Sequence, residues 1–176
     1  KDWINERMNK AWTVEKVEGV LSTFLIEPFV PHAQEDEYYI CIVSNRDGEE
    51  MLFWHEGGVD IGDVDSKALR LQVALGHDVT AEEITTALWK FVPAERQAKL
   101  ASCFVTLMKV YRELHFVYME INPIVVDAEG KITPLDLAAK IDETAAFLVQ
   151  QKWGPNIDFP APFGRAEFPE ESYIKA

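Results

Sequence analysis

The stretch over residues 116–137 restricts the fold of this chain more than any other part of the sequence. Residues 116–126 are rich in β-branched and aromatic types, residues 127–130 (Asp-Ala-Glu-Gly) have the composition of a tight turn, and residues 131–137 run on from it. Two strand-like runs joined by such a turn predict a β-hairpin. Its register then follows from the centre of the turn, which we take as Glu129.

With that register the hairpin brings Asn122 and Asp136 directly opposite each other. Cross-strand neighbours have Cβ atoms about 4.5–5.5 Å apart. Glu120 lies two residues before Asn122, on the same face of its strand. Amide and carboxylate oxygens suit Mg²⁺, which takes one or two protein ligands and completes its octahedron with phosphate and water. The alternative is that both residues cap turns or bond local backbone.

Length and charge limit the classes of function. The 176 residues can hold one ordinary domain with a real core, and a hydrophobic fraction of 48% is typical of a globular protein. A net charge of −13, from 30 acidic and 17 basic residues, argues against a nucleic-acid partner, because phosphate backbones demand Lys and Arg. No apolar run approaches the roughly 20 residues of a membrane span, so no membrane partner is expected.

The remaining pattern predicts an α+β fold. We expect strands over residues 23–28, 37–44 and 50–55, helices over 81–91 and 94–114, the hairpin, and a helix over 142–151. Thr80, with Glu83 three residues later, predicts a capping box at the start of the first helix. Short connections between neighbouring strands favour a mainly antiparallel sheet with the helices packed on one side.

The same pattern predicts where the chain divides. Residues 1–152 form one subdomain, with residues 1–20 as the remnant of a preceding element. Residues 153–176, rich in Pro and aromatic residues, form an extended tail or linker toward a next domain. Because Lys1 is not a natural start, we expect a piece of a longer protein. Both cysteines, Cys41 and Cys103, lie in apolar runs, which favours two small buried thiols in a reducing, cytoplasmic compartment; a disulfide is the alternative.

Four segments resemble the ATP-citrate lyases. They are Phe-Leu-Ile-Glu-Pro-Phe-Val-Pro-His at 24–32, the glycine-rich acidic loop His-Glu-Gly-Gly-Val-Asp at 55–60, Glu-Ile-Asn-Pro at 120–123 and Leu-Asp-Leu-Ala-Ala-Lys at 135–140. The resemblance runs in order over residues 23–173. Glu-Ile-Asn-Pro is shared more widely with the β subunits of succinyl-CoA synthetases, whereas the first two segments are more specific to the citrate enzymes.

The resemblance implies the C-terminal subdomain of an ATP-grasp module. In the citrate enzymes ATP phosphorylates a histidine, the phosphoryl group passes to citrate, and CoA traps citryl-CoA before its cleavage to acetyl-CoA and oxaloacetate. The implied ligands are ATP and Mg²⁺, with citrate and CoA bound by other domains or subunits. The implied partner is the remainder of an oligomeric lyase, which carries the phosphorylated histidine and the basic phosphate-binding residues. Without that remainder we expect no activity.

The resemblance also implies roles for the nucleotide-binding residues. Pro28 and Val30 match positions whose backbone lies beside the adenine. Glu37 matches a carboxylate that accepts hydrogen bonds from the ribose hydroxyls. Gly57 and Gly58 match a loop near the site of phosphoryl transfer, where the lack of a side chain permits close backbone approach.

Further roles concern the hairpin. Asn122 and Asp136 match the two Mg²⁺ ligands, in agreement with the geometry argued from the hairpin itself. Glu120 matches a glutamate near the incoming phosphohistidine, where a carboxylate could orient the imidazole. The histidines lack the glycine-rich context of the phosphorylated residue, so we expect structural or surface roles for all of them: His32, His55, His77 and His115.

Two other functions fit the same residues. A succinyl-CoA synthetase-type NDP-forming acyl-CoA ligase shares the hairpin chemistry and differs in its acid substrate. A noncatalytic scaffold would keep the fold and bind partner proteins. The choice of acid substrate separates the first alternative, and weak or absent ATP binding would favour the second.

Overall fold

A computed structural model describes residues 1–14, 16–58, 62–64, 66–154, 157, 163–165 and 168–175. The chain forms two compact units, one made of Lys1–Phe29 with Asn156–Ala176 and the other of Val30–Pro155. No helix in this described part of the chain has the length and apolar character needed to cross a membrane. The predicted boundary between residues 152 and 153 stays a prediction.

The first unit contains a short helix and a small hairpin. The helix α1 spans Asp2–Asn5, and the antiparallel strands β1 (Ala11–Val14) and β2 (Val17–Val20) pair with each other. A further helix spans Pro169–Lys175. The prediction of an extended tail is therefore wrong for these last residues, whose acidic first turn suits the start of a helix.

The second unit is built on an antiparallel sheet. Its strands are β3 (Glu37–Asn45), β4 (Gly48–Trp54), β5 (Leu69–Ala74), β6 (Phe116–Val126), β7 (Ile132–Pro134) and β8 (Leu137–Ile141). The order is β5-β4-β3-β6-β7, and β8 also pairs with β6. The strand predicted at 37–44 is present and has a neighbour on each side.

Helices α2 (Ala81–Leu88) and α3 (Ala94–Glu113) pack on one face of this sheet. At the start of α2, the Thr80 side chain accepts a hydrogen bond from the Glu83 amide, and Glu83 accepts one from the Thr80 amide, which is the predicted capping box. A further helix of this unit, α4, spans Ala146–Trp153. The α+β architecture, antiparallel with helices on one side, is confirmed.

The core lies between the sheet and these two helices. Its fully buried members include Ile40, Ile42, Phe53, Ile84, Leu88, Leu100, Phe104 and Tyr111. A smaller cluster on the opposite face joins Tyr39, Cys41 and Leu52. Cys41 is buried, Cys103 is partly buried, and no disulfide joins them.

Two strand predictions differ from the structure. Residues 23–28 form no strand, because no described segment pairs with their backbone, and Leu25 and Ile26 are 84% and 76% exposed. Conversely, β5 was not predicted, although Leu69, Leu71 and Val73 alternate with polar residues in the manner of a half-buried strand. Strand β5 pairs with β4 at the edge of the sheet, whereas no strand of the described residues lies beside residues 23–28.

Candidate functional site

The predicted hairpin has the predicted register. Ile124 pairs with Pro134 and Val126 with Ile132, which centres the turn on Glu129. Asp136 lies between β7 and β8, and its backbone carbonyl accepts a hydrogen bond of 3.2 Å from the backbone amide of Asn122 in β6. Asn122 and Asp136 are therefore opposite each other on adjacent backbones, as the sequence predicted.

The side chains of this pair have different environments. Oδ1 of Asn122 accepts a hydrogen bond of 2.7 Å from the Gly58 amide. One of its two lone pairs stays available. Asp136 is exposed, and its carboxylate has no hydrogen bond or ion pair to any described residue. An amide oxygen and an uncommitted carboxylate are a donor set that fits Mg²⁺ with water and phosphate as further ligands.

No group of three or more His, Cys, Asp or Glu residues gathers as a metal site among the residues that the structure describes. This finding excludes a closed protein cage, such as a structural zinc site, in that part of the molecule. A site of one Asn and one Asp is instead the sparse kind that Mg²⁺ shares with a nucleotide.

Glu37 stands at the start of β3 and is held by two side chains. His32 Nε2 lies 2.9 Å from its Oε1, and Gln34 Nε2 donates to its Oε2 at 3.0 Å. Gln34 also donates to the Gly57 carbonyl at 3.1 Å. Since the next residue, Gly58, binds Asn122, a continuous hydrogen-bonded path joins Glu37 to the hairpin.

His32 forms a second contact through its other ring nitrogen. Nδ1 lies 2.7 Å from the Val30 carbonyl oxygen. Hydrogen bonds to this carbonyl and to Glu37 raise the pKa of His32, because both favour the protonated ring. Val30, His32 and Glu37 therefore form one bonded unit.

The turn between His32 and Glu37 is anchored to helix α3. Arg96 pairs with Asp36 at 2.6 Å and donates to the Tyr38 hydroxyl at 3.0 Å. The hydrogen bond from Arg96 holds the pKa of Asp36 below its ordinary value. This charged contact fixes the turn that carries Gln34.

The two glycines of the loop are required by close approach. A Cβ on Gly57 would lie 2.8 Å from both the Pro123 side chain and the Tyr38 carbonyl. Gly58 has φ of +94°, and a Cβ there would collide with the carboxylate of Glu37. Glycine permits both contacts, and the expected approach of this loop to a transferring phosphoryl group stays a prediction.

Glu120 lies on the sheet face opposite the two helices and binds two phenols. Tyr118 donates to its Oε2 at 2.7 Å, and Tyr39 donates to the same oxygen at 3.2 Å. Burial, and then the bond to Glu120, raises the pKa of Tyr118, so the phenol stays a neutral donor. Neither tyrosine is a predicted site residue, although Tyr118 lies two residues before Glu120 in a strand and so shares its face.

A cavity of about 680 Å³ opens beside the Gly57 loop. Its lining includes Gln34, Tyr38, His55, Gly57 and Phe91. The His55 ring packs against Phe91, with ring centres 4.6 Å apart, and its buried Nδ1 has no hydrogen-bond partner among the described residues. The volume lies in the range of small-molecule sites.

The structure thus brings most of the predicted site residues together. Val30, Glu37, Gly57, Gly58, Asn122 and Asp136 lie along one chain of contacts in the second unit. Glu120 lies two residues along β6. Pro28 is an exposed residue of the first unit, outside any helix or strand. His32 and Gln34 were not predicted as site residues, because their role depends on contacts with Glu37 and Gly57.

Comparison with known proteins identifies the family. A model of the ATP-citrate synthase ATP-grasp domain matches residues 1–153. The chain belongs to this ATP-citrate synthase family. The ATP-citrate synthase of Bos taurus is 48% identical over 99% of this chain and 16% of that protein. The probable ATP-citrate synthase subunit 2 of Schizosaccharomyces pombe is 40% identical over 99% of this chain and 42% of that protein.

A solved member of the ATP-citrate synthase family has the same fold. The ATP citrate lyase of Methanothrix soehngenii, in complex with citrate and coenzyme A, matches with a TM-score of 0.82 and 33% identity. The match covers 99% of this chain and 40% of that one. The chain thus spans less than half the length of these relatives.

Proposed function

We propose that this chain is the part of an ATP-citrate lyase that binds MgATP and supports phosphorylation of a histidine located elsewhere in the enzyme. The observation that carries the proposal is the facing pair Asn122 and Asp136, tied through Gly58 to the loop after β4. Asp136, whose exposed carboxylate has no described partner, lies across the hairpin from Asn122, whose amide oxygen is anchored, and these two oxygen donors suit a cation site.

Each remaining residue has a role in this proposal. The backbone of Pro28 and Val30 recognises the adenine edge, and Glu37 accepts hydrogen bonds from the ribose hydroxyls. The loop at Gly57 and Gly58 approaches the transferring phosphoryl group through backbone alone, since neither residue has a side chain.

Glu120 orients the imidazole that receives the phosphoryl group, by accepting a hydrogen bond from its other nitrogen. Its Oε2 is already held by Tyr39 and Tyr118, which leaves Oε1 for that contact. A fixed carboxylate is better suited to orientation than a mobile one, because positioning is a large part of phosphoryl-transfer catalysis.

Mg²⁺ held at Asn122 and Asp136 would neutralise phosphate charge during transfer. The chain itself has 30 acidic and 17 basic residues, so it supplies little positive charge for a triphosphate. Basic residues in the remainder of the enzyme are therefore part of the proposal, and the chain alone is expected to be inactive. An oligomeric, cytoplasmic enzyme is also proposed.

The test is replacement of Asp136 by Ala in the assembled enzyme. Transfer of labelled γ-phosphate from ATP to protein histidine should fall to background, because the cation loses its carboxylate ligand. Asp47→Ala is the matched control, since Asp47 is a turn carboxylate with a side chain 75% exposed, paired with Arg46 at 3.7 Å. Phosphorylation retained by Asp136→Ala at ordinary Mg²⁺ concentrations would reject the assigned role.

The acid substrate is proposed to be citrate, with CoA as the second acceptor. The relatives support this choice over succinate, because they are named ATP-citrate synthases and the solved relative is a complex with citrate and coenzyme A. Discharge of the phosphorylated enzyme by citrate and by succinate, compared side by side, separates the two. Faster discharge by succinate would favour the NDP-forming ligase, and weak MgADP binding would favour a scaffold.

A further inference from the structure

We propose that His32 is a positioning residue, which in its protonated form locks the ribose-binding carboxylate Glu37 to the adenine-side backbone at Val30. The inference rests on the proposed function, because it takes Val30 and Glu37 as nucleotide contacts. As a consequence, the preference for nucleotides that carry ribose hydroxyls depends on the charge of the His32 imidazole.

The geometry requires two donors on one ring. Nδ1 of His32 faces a backbone carbonyl at 2.7 Å, and Nε2 faces a carboxylate at 2.9 Å. Both partners are acceptors, and a neutral imidazole has one N–H and one acceptor nitrogen. Both bonds therefore form together in the imidazolium state, and loss of one proton sets an acceptor nitrogen against an acceptor oxygen.

The pair is shielded well enough for this difference to matter. The His32 and Glu37 side chains are 17% and 13% exposed. Gln34 fixes the second carboxylate oxygen at 3.0 Å, so the plane of the carboxylate is defined by one bond on each side. Each oxygen keeps acceptor capacity for a hydroxyl donor. If the hydrogen bond to His32 is lost, the Glu37 carboxylate is held only by Gln34 and can rotate.

The charged groups acting on His32 among the described residues are Glu37 and Asp36. Asp36 is paired with Arg96 from helix α3 at 2.6 Å, which lowers its pKa and keeps it ionised at neutral pH. The bonds to Val30 and Glu37 raise the pKa of His32 above 6.5. The two hydrogen bonds of His32 are therefore formed together well below this pH, and they are lost as pH rises through the raised pKa.

The experiment measures a ratio of affinities. Binding of MgADP and of Mg-2′,3′-dideoxyADP to the assembled enzyme is followed by calorimetry from about pH 6 to about pH 9. Titration of the phosphates is common to both nucleotides and cancels in the ratio. Hydrogen bonds from two hydroxyls to a carboxylate should make the ratio roughly tenfold or more at low pH. The ratio should then fall toward one as pH rises.

His32→Ala and His32→Asn test the residue itself. Both should show a ratio near one at every pH, through weaker ADP binding and little change for the dideoxy nucleotide. His77→Ala is the matched control, because His77 Nε2 lies 2.9 Å from Glu83 Oε1, the same kind of pair at the start of helix α2. This control should keep the wild-type ratio and pH profile.

Two contrary outcomes are distinguishable. If Glu37→Ala abolishes the ratio while both His32 variants keep it, the inference about His32 is wrong and the nucleotide site stands. If neither the wild type nor Glu37→Ala shows any preference for the ribose hydroxyls, the nucleotide assignment itself fails. Should both His32 variants unfold, the wild-type profile decides, because a ratio independent of pH would overturn the proposal.

Discussion

The amide nitrogen of Gly58 lies 2.7 Å from Oδ1 of Asn122, across 64 positions of sequence. This bond fixes the direction of the amide oxygen in the candidate cation site. The same glycine also borders Glu37, whose carboxylate occupies the place where a Cβ would stand. One backbone position thus touches both the proposed metal ligand and the proposed ribose ligand.

Gly58→Ala should therefore damage nucleotide binding more than stability. Ala at a positive φ costs about 1 kcal/mol of unfolding free energy, whatever the space around it. Gly62→Ala is a matched control, because Gly62 has φ of +66° and no described atom within 4 Å of an added Cβ. Both variants should lose similar stability in urea titrations. MgADP affinity should fall roughly tenfold in Gly58→Ala alone, since Glu37 has to move; equal affinities would contradict this.

Tyr118→Phe should slow histidine phosphorylation without weakening nucleotide binding. Tyr118 donates the shorter of the two bonds to Glu120, 2.7 Å against 3.2 Å from Tyr39. Loss of a hydrogen bond to a charged group is worth about 1.5–3 kcal/mol, which sets the expected slowing at roughly tenfold or more. Tyr39→Phe should have a smaller effect.

Rapid-quench measurement of phosphoenzyme formation at saturating MgATP checks this difference. Tyr111→Phe is the control, because its hydroxyl bonds Ser44 at 2.8 Å and does not contact Glu120. A rate unchanged by Tyr118→Phe would show that Glu120 needs no such support.

Arg112→Met should destabilise the fold strongly. Arg112 binds Glu49 through two nitrogens, at 3.1 Å and 2.7 Å, and Glu49 is 7% exposed. Removal of the guanidinium leaves a buried carboxylate unpaired, at a cost of about 3 kcal/mol. The exposed pair Arg46–Asp47, at 3.7 Å, supplies the control, and Arg46→Met should change stability by less than about 0.5 kcal/mol.

Equilibrium urea unfolding measures both variants. Addition of Glu49→Gln to Arg112→Met should recover part of the loss, since the unpaired charge is then removed. If the double variant is no more stable than Arg112→Met, the cost comes from lost packing of the arginine stem instead.

Asp36→Asn should change the response of stability to acid. The Arg96 hydrogen bond lowers the folded pKa of Asp36 below 3.8, so its contribution is present above that pH and is lost as pH falls through the folded pKa. The wild type should lose more stability than Asp36→Asn between about pH 4 and about pH 2. Urea midpoints across this range provide the measurement, and parallel curves would exclude a role for the pair.

Features that depend on residues close together in the chain were predictable from the sequence alone. The register of β6 with β7 follows from a four-residue turn and from the alternation of side chains with period two. The opposition of Asn122 and Asp136 was therefore predictable. The capping box at Thr80 and Glu83 was predictable for the same reason, since both partners lie within one helical turn.

Features that depend on contacts between distant segments became known only from the folded chain. Residues 23–28 and β5 are both apolar stretches, yet β5 alone has a described neighbour to accept its backbone hydrogen bonds. The contact of Gly58 with Asn122, and that of Gln34 with Gly57, join segments whose order in the sequence gives no sign of their meeting. Composition and period fix which face of an element is apolar, but packing of the whole sheet decides which polar groups meet across it.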